Sequence, residues 1–211
     1  MITIMERGSR AWVVAVLAVA ATVASSFAHA QEAPDALVKR VSQDMLATIK
    51  GDPLVQAGNE ARIREVIEVK LLPHFDFMRM TALAMGKNWR GANPEQQKRL
   101  TDEFRTLLVR TYSGALNQYR NETIDYKPLR MNAGDTDVTV RTLVMRQTGQ
   151  PVQMDYNLAK TPDGWKAYDV IVGGVSLVTN YRDEFNAQVA NGGIDGLIKT
   201  LAEKNRGPAP K

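Results

Sequence analysis

The hydrophobic period changes once along this 211-residue chain, near Thr123, and that change constrains the fold class more than any other feature. Before it, apolar residues keep helical spacing. Leu37, Val41, Met45 and Ile49 form a stripe widened by Val38 and Leu46, and Gly51-Asp52-Pro53 stops it. Asn59 caps a second helical stretch with Ile63, Val66, Ile67 and Leu71 on one face, ending before Pro73. A short segment from Asp76 to Leu83 follows, closed by Gly86. Asn93-Pro94-Glu95 starts a long helix: Asn caps, Pro fits the first turn and the acid complements the dipole. The spacing carries this helix to about Tyr119, burying Leu100, Phe104, Leu107, Leu108, Tyr112, Ala115 and Leu116.

After Thr123 the period is two. Val138, Val140, Thr142 and Val144 alternate with Asp137, Thr139, Arg141 and Leu143, and Val152, Met154, Tyr156 and Leu158 alternate with Gln153, Asp155, Asn157 and Ala159. Turns at Asn132–Asp135, Gly149–Pro151 and Pro162–Gly164 separate the runs. With a first strand near Ile124–Met131 and a last one from Trp165, they predict a four-stranded antiparallel meander, apolar on one face. Strict alternation in the last strand puts Trp165, Ala167, Asp169 and Ile171 on one face and Tyr168, Val170 and Val172 on the other. The strand breaks at Gly173-Gly174, and two helices, near Leu177–Ala190 and Ile194–Lys204, complete the chain. The expected fold is α+β: helices packed over a curved four-stranded antiparallel sheet, the layers splayed to leave an apolar cleft beside the long helix.

The N-terminus reads as a targeting segment. Arg7 and Arg10 precede a small and aliphatic run from Ala11 to Ser25, and Ala28-His29-Ala30 has the small-x-small pattern of a cleavage site. The run is about 15 residues, short of the roughly 20 that span a bilayer, so a leader rather than a stable membrane anchor is expected. The expected division is a signal peptide over 1–30, a single domain over 31–206 and a disordered tail over 207–211. Without Arg7, Arg10 and Glu6, the 27 basic and 23 acidic residues become 25 and 22, a weak and scattered excess that does not point to nucleic acid. The absence of cysteine removes disulfides, thiolate metal sites and a thiol nucleophile.

Catalytic parts are scarce. Downstream of the leader the sole histidine is His74; there is no HExxH, GxGxxG or P-loop, and Gly174-Val175-Ser176-Leu177-Val178 lacks the second glycine of a nucleophile elbow. Ser176 reads better as the N-cap of a helix after the glycine turn. Asp169 or Asp155 could serve as general base on a hydrophobic small molecule in an open-cone α+β enzyme; the competing reading is a carboxylate bonded to backbone or a neighbouring side chain. Met78, Met80, Met85, Met131, Met145 and Met154 suit surfaces that accept variable apolar shapes, or ordinary core.

Several motifs carry a family resemblance. Leu71-Leu72-Pro73-His74-Phe75-Asp76-Phe77, Ala82-Leu83-Ala84-Met85-Gly86, Trp89-Arg90 and Pro94-Glu95-Gln96-Gln97 come first. Phe104-Arg105, Thr111-Tyr112, Ala115-Leu116, Trp165 to Val170, Gly174-Val175-Ser176-Leu177 and Gly193-Ile194-Asp195-Gly196-Leu197 continue the series. In this order they resemble the MlaC, or toluene-tolerance, family of periplasmic phospholipid-binding proteins. The resemblance implies a non-enzymatic periplasmic carrier with no cofactor beyond its phospholipid cargo. It also implies two partners, an outer-membrane lipoprotein–porin complex and an inner-membrane ABC transporter complex, and a role in outer-membrane lipid asymmetry. Candidate lipid-lining residues are the apolar members of these motifs and of the strands between them. From the helical half come Phe75, Phe77, Leu83, Phe104, Leu108 and Tyr112; from the strand half come Val140, Met154, Tyr156, Trp165, Tyr168, Val170, Val175 and Leu177. The Gly173-Gly174 turn, if it leads into a helix N-terminus, could cradle a phosphate; otherwise it is a sharp bend.

Overall fold

A computed structural model describes residues 31–114, 122–147 and 149–207. The expected signal peptide, the helical positions Ala115 and Leu116, the extension toward Tyr119 and the tail beyond Gly207 lie outside the described residues.

Helix α1 (Pro34–Gly51) ends at Asp52, whose carboxylate then caps the single turn α2 (Pro53–Gln56) by accepting from Leu54 and Val55 N–H. Asn59 caps α3 (Glu60–Val66), which passes into a π-helical turn over Ile67–Leu71 and a 3₁₀ turn over Leu72–His74. Asp76 caps α4 (Phe77–Met85), and Gly86 at φ 55° turns the chain away. The long helix α5 (Pro94–Tyr112) opens with a reciprocal capping box between Asn93 and Gln96 and has Pro94 in its first turn.

The sheet has five strands rather than four: β1 (Thr123–Tyr126), β2 (Asp137–Met145), β3 (Val152–Thr161), β4 (Gly164–Val172) and β5 (Val175–Ser176), antiparallel throughout and in chain order. The fifth exists because Gly173 and Gly174 both take positive φ, 58° and 87°, folding the chain back onto β4. The glycine pair therefore leads into a strand, not a helix, and no helix N-terminus stands there to hold a phosphate. Ser176 caps, but it caps a turn: its Oγ accepts from Val178 and Thr179 N–H ahead of a 3₁₀ turn over Thr179–Tyr181. The last helix, α6 (Arg182–Arg206), begins five residues later than the pattern suggested, and its non-helical Gly193 falls where two separate helices were expected to meet.

The strict alternation expected of β4 does not hold. Met154 opposes Val172 and Tyr156 opposes Val170, yet Leu158 opposes Ala167, so Tyr168 is an extra residue in a β-bulge. Ala167 consequently shares a face with Val170 and Val172, while Asp169 and Ile171 lie on the opposite face. One inserted residue reverses the facing of everything beyond it.

Three apolar clusters hold these elements. Helices α4, α5 and α6 pack around Phe104, Phe185, Leu100 and Leu197; α1 lays Leu37, Val38 and Val41 on Val140, Leu158 and Trp165 of the sheet; and α1 to α3 enclose Met45, Ile49, Ile63 and Val66. Beside β4, Asp76 N–H donates to the Ala167 carbonyl at 2.8 Å, fixing the start of α4 against the sheet.

Candidate functional site

The three clusters do not close on one another. Between them lies a cavity of about 400 Å³, within the range of small-molecule sites. Met45, Leu46 and Ile49 of α1 form one wall, and the π turn and its continuation add Ile67, Leu71 and Leu72. Phe77 and Met80 of α4 and Leu108, Val109 and Tyr112 of α5 form another. The sheet supplies Ile124, Val144, Met154, Tyr156, Val170 and Val172, all on one face by register. Phe75 and Leu177 complete the apolar wall, and Ser42, Ser113 and Glu122 are the other polar members.

Aromatic contacts fix part of this wall. Phe75 and Phe77 stack with ring centres 5.9 Å apart, and the Arg105 guanidinium lies 5.8 Å from the Phe77 ring. Tyr112 hydrogen-bonds Tyr181, and burial, reinforced by Tyr181, pushes the Tyr112 phenol up to about 12. Tyr156 donates its hydroxyl to Met154 Sδ at 2.9 Å, and Ser42 pairs with Tyr126 at 2.6 Å. The site offers apolar surface and few polar atoms, a composition suited to an apolar ligand.

The candidate lining residues divide between wall and core. Phe75, Phe77, Leu108, Tyr112, Met154, Tyr156, Val170 and Leu177 converge on the cavity. Phe104 does not reach it: fully buried, it makes edge contacts at 5.2 Å with Tyr181 and Phe185. Leu83 packs on the same helical cluster, its carbonyl accepting from Arg182. Val140 and Trp165 are buried beneath α1, Tyr168 is covered by the Arg79 guanidinium at 3.7 Å, and Val175 is exposed on β5. Among the methionines, Met80 and Met154 reach the cavity, Met85 is core, and Met78, Met131 and Met145 are exposed. Met45, Ile49, Ile67 and Val144 were legible only as apolar faces, and Glu122 carried no signal in the sequence.

The two acids weighed as bases sit elsewhere. Asp155 opposes Ile171, and Asp169 opposes Asn157, on the sheet face turned away from Met154, Tyr156 and Val170. Asp169 is buried, which raises its carboxyl above the usual range; the Ser176 hydroxyl, at 2.9 Å, and Val170 and Val178 N–H donate to it and oppose the shift. It secures the Ser176 turn, matching the structural reading. Among the described residues no group of three or more His, Cys, Asp or Glu is placed to hold a metal, and no helix is long and apolar enough to cross a membrane.

Comparison with known proteins gives the same outline. The family model described as MlaC protein matches residues 39–203. The toluene tolerance protein ttg2D of Pseudomonas putida is 26% identical over 173 residues, covering 82% of this chain and 80% of that protein. The intermembrane phospholipid transport system binding protein MlaC of Haemophilus influenzae is 23% identical over 184 residues, 86% of each chain. A solved structure of the phospholipid-binding protein from Ralstonia solanacearum, in complex with a phospholipid, is 45% identical with a TM-score of 0.75; the match covers 81% of this chain and 96% of that one. Since the family model extends from within α1 almost to the end of α6 and takes in every wall of the cavity, the chain belongs to the MlaC family.

Proposed function

We propose that this chain is a periplasmic phospholipid carrier that holds acyl chains in the apolar cavity and leaves the head group at its mouth. The observation that carries the reading is the cavity: about 400 Å³ between α1, α5 and one face of the sheet, walled almost wholly by apolar side chains. A 45%-identical relative with a phospholipid in its solved complex supports the choice of ligand. Each methylene moved out of water gains about 0.8 kcal/mol, but a bilayer already provides that gain, so transfer into such a cavity is near-neutral and needs no catalytic group. A charged head group is costly to desolvate and stays in water.

The finer reading is that residues 1–30 direct export, residues 31–206 carry lipid, and direction is imposed from outside. The carrier meets an outer-membrane lipoprotein–porin complex on one side and an inner-membrane ABC transporter complex on the other, and so maintains outer-membrane lipid asymmetry. The name of the Haemophilus influenzae relative, an intermembrane phospholipid transport system binding protein, supports this part. Solvent extraction and native mass spectrometry of Gln31–Lys211 test the ligand. Phospholipid near one molecule per chain is expected; a clean apo mass with no uptake from labelled vesicles would overturn the reading.

A further inference from the structure

The main cavity stops short of a second space. A void of about 60 Å³ under α1 shares Ser42, Leu71, Phe75 and Tyr156 with the cavity wall. Register places the two one after the other along the sheet. The cavity faces the paired positions Met154–Val172 and Tyr156–Val170, and the void faces the next pair, Leu158–Ala167. Phe75 and Tyr156 are therefore a partition between them. Several contacts hold it in place. The Phe75 backbone bridges to Ala167 of β4, and the adjoining Asp76 N–H donates to the Ala167 carbonyl at 2.8 Å. The Phe75 ring stacks on Phe77 with centres 5.9 Å apart, and the Tyr156 hydroxyl donates to Met154 Sδ at 2.9 Å. Beyond the partition lies packed core, where Leu37, Val38, Leu158 and Ala167 are all buried. A charged head group stays in water, so the end of the cavity that meets this core receives the ends of the acyl chains.

We infer that Phe75 and Tyr156 set the acyl-chain length this cavity accepts, stopping the chain ends short of the void behind them; the inference rests on the carrier reading above. A chain that fits ends against the two rings. A longer chain must displace side chains that are already packed, or leave its extra methylenes in water, each costing roughly fourfold in affinity. The void has room for about four water-sized groups, so opening the partition admits chains longer by about two to four carbons.

Delipidated wild type, Phe75→Ala, Phe75→Leu, Tyr156→Ala and Leu46→Ala are incubated with vesicles of phosphatidylglycerols, equimolar in paired monounsaturated chains that step from fourteen to twenty-two carbons. The bound lipid is extracted and its chain lengths are quantified. Wild type is expected to load the shorter lipids and to fall off several-fold per added pair of carbons beyond a limit. Phe75→Ala and Tyr156→Ala are expected to move that limit up by about two to four carbons. Leu46 lines the main cavity away from the void, so Leu46→Ala enlarges the cavity without opening the partition and is expected to keep the wild-type limit. Phe75→Leu is expected to shift in the same direction by less, and it decides where an alanine variant fails to fold. Wild type loading all lengths in vesicle proportions, a limit unmoved in the Phe75 variants, or an equal shift in Leu46→Ala would each overturn the inference while leaving the carrier reading intact. Wild type that takes up no lipid overturns both.

Discussion

His74 sits half-buried against α1, where with Leu37, Val38, Val41 and Phe75 it encloses a small void of about 60 Å³ adjoining the main cavity. Burial holds its pKa below the usual imidazole value of 6.5; the Arg40 and Lys166 charges push the same way and Glu32 opposes them. A depressed folded-state pKa means the unfolded chain binds the proton first, so the contribution to stability is present above about 6.5 and is lost as pH falls through the folded value. Thermal unfolding between pH 8 and 5 is expected to show a decline in melting temperature on the acid side of 6.5. In His74→Gln that decline should be smaller; an unchanged pH profile would remove His74 as its source. At this scale the sequence was legible for residues with local roles. Asn59 and Asn93 cap the helices they precede, because a cap needs only its own next three residues. His74 takes its character from Arg40, Glu32 and Lys166, distant in the chain, which no local pattern encodes.

At the scale of elements, helices and long strands followed from period alone, and the departures have local backbone causes. Tyr168 as a bulge residue reverses the facing of Asp169 and Val170, and alternation cannot reveal an insertion whose evidence lies in the partner strand. Gly193 gives a sharper test. It sits inside α6 at φ 68°, ψ −175°, a conformation close to glycine-only, and a Cβ there would meet nothing within 4 Å. The cost of Gly193→Ala is thus conformational rather than steric, about 1–3 kcal/mol. Each kcal/mol lowers the melting temperature of a domain of this size by roughly 2–4 °C. Gly192, next to it and helical, also has open space around a Cβ. Gly192→Ala is expected to raise stability by about 0.5–1 kcal/mol. Calorimetry on the pair separates backbone strain from helix propensity; the same sign for both would show that the break at Gly193 is not required.

At the scale of the whole molecule, the cavity is what three well-packed clusters leave unfilled, and this explains why it was only partly legible. Periodicity reports that Met45, Ile49 and Val144 turn inward; whether an inward face meets another side chain or a void depends on how layers diverge over distances far beyond a sequence window. Phe104 and Val170 look alike in pattern, yet one is packed by Phe185 and the other faces open volume. A dry void costs on the order of 24 cal/mol per Å³, which over about 400 Å³ approaches 10 kcal/mol. That is comparable with an entire folding free energy of roughly 5–15 kcal/mol, and because the cavity opens to water it is an upper bound. An apolar ligand that fills the cavity should therefore stabilise the fold visibly. Extracted protein is expected to melt several degrees below the lipid-loaded form, since anything bound only by the folded state raises its stability by mass action. Val170→Trp places an indole where ligand would lie. It is expected to cut lipid loading several-fold, and to shrink the melting difference between loaded and extracted protein because the side chain itself occupies part of the void. If Val170→Trp loads lipid like wild type while retaining the full melting difference, acyl chains do not lie against the Tyr156–Val170 face of the sheet.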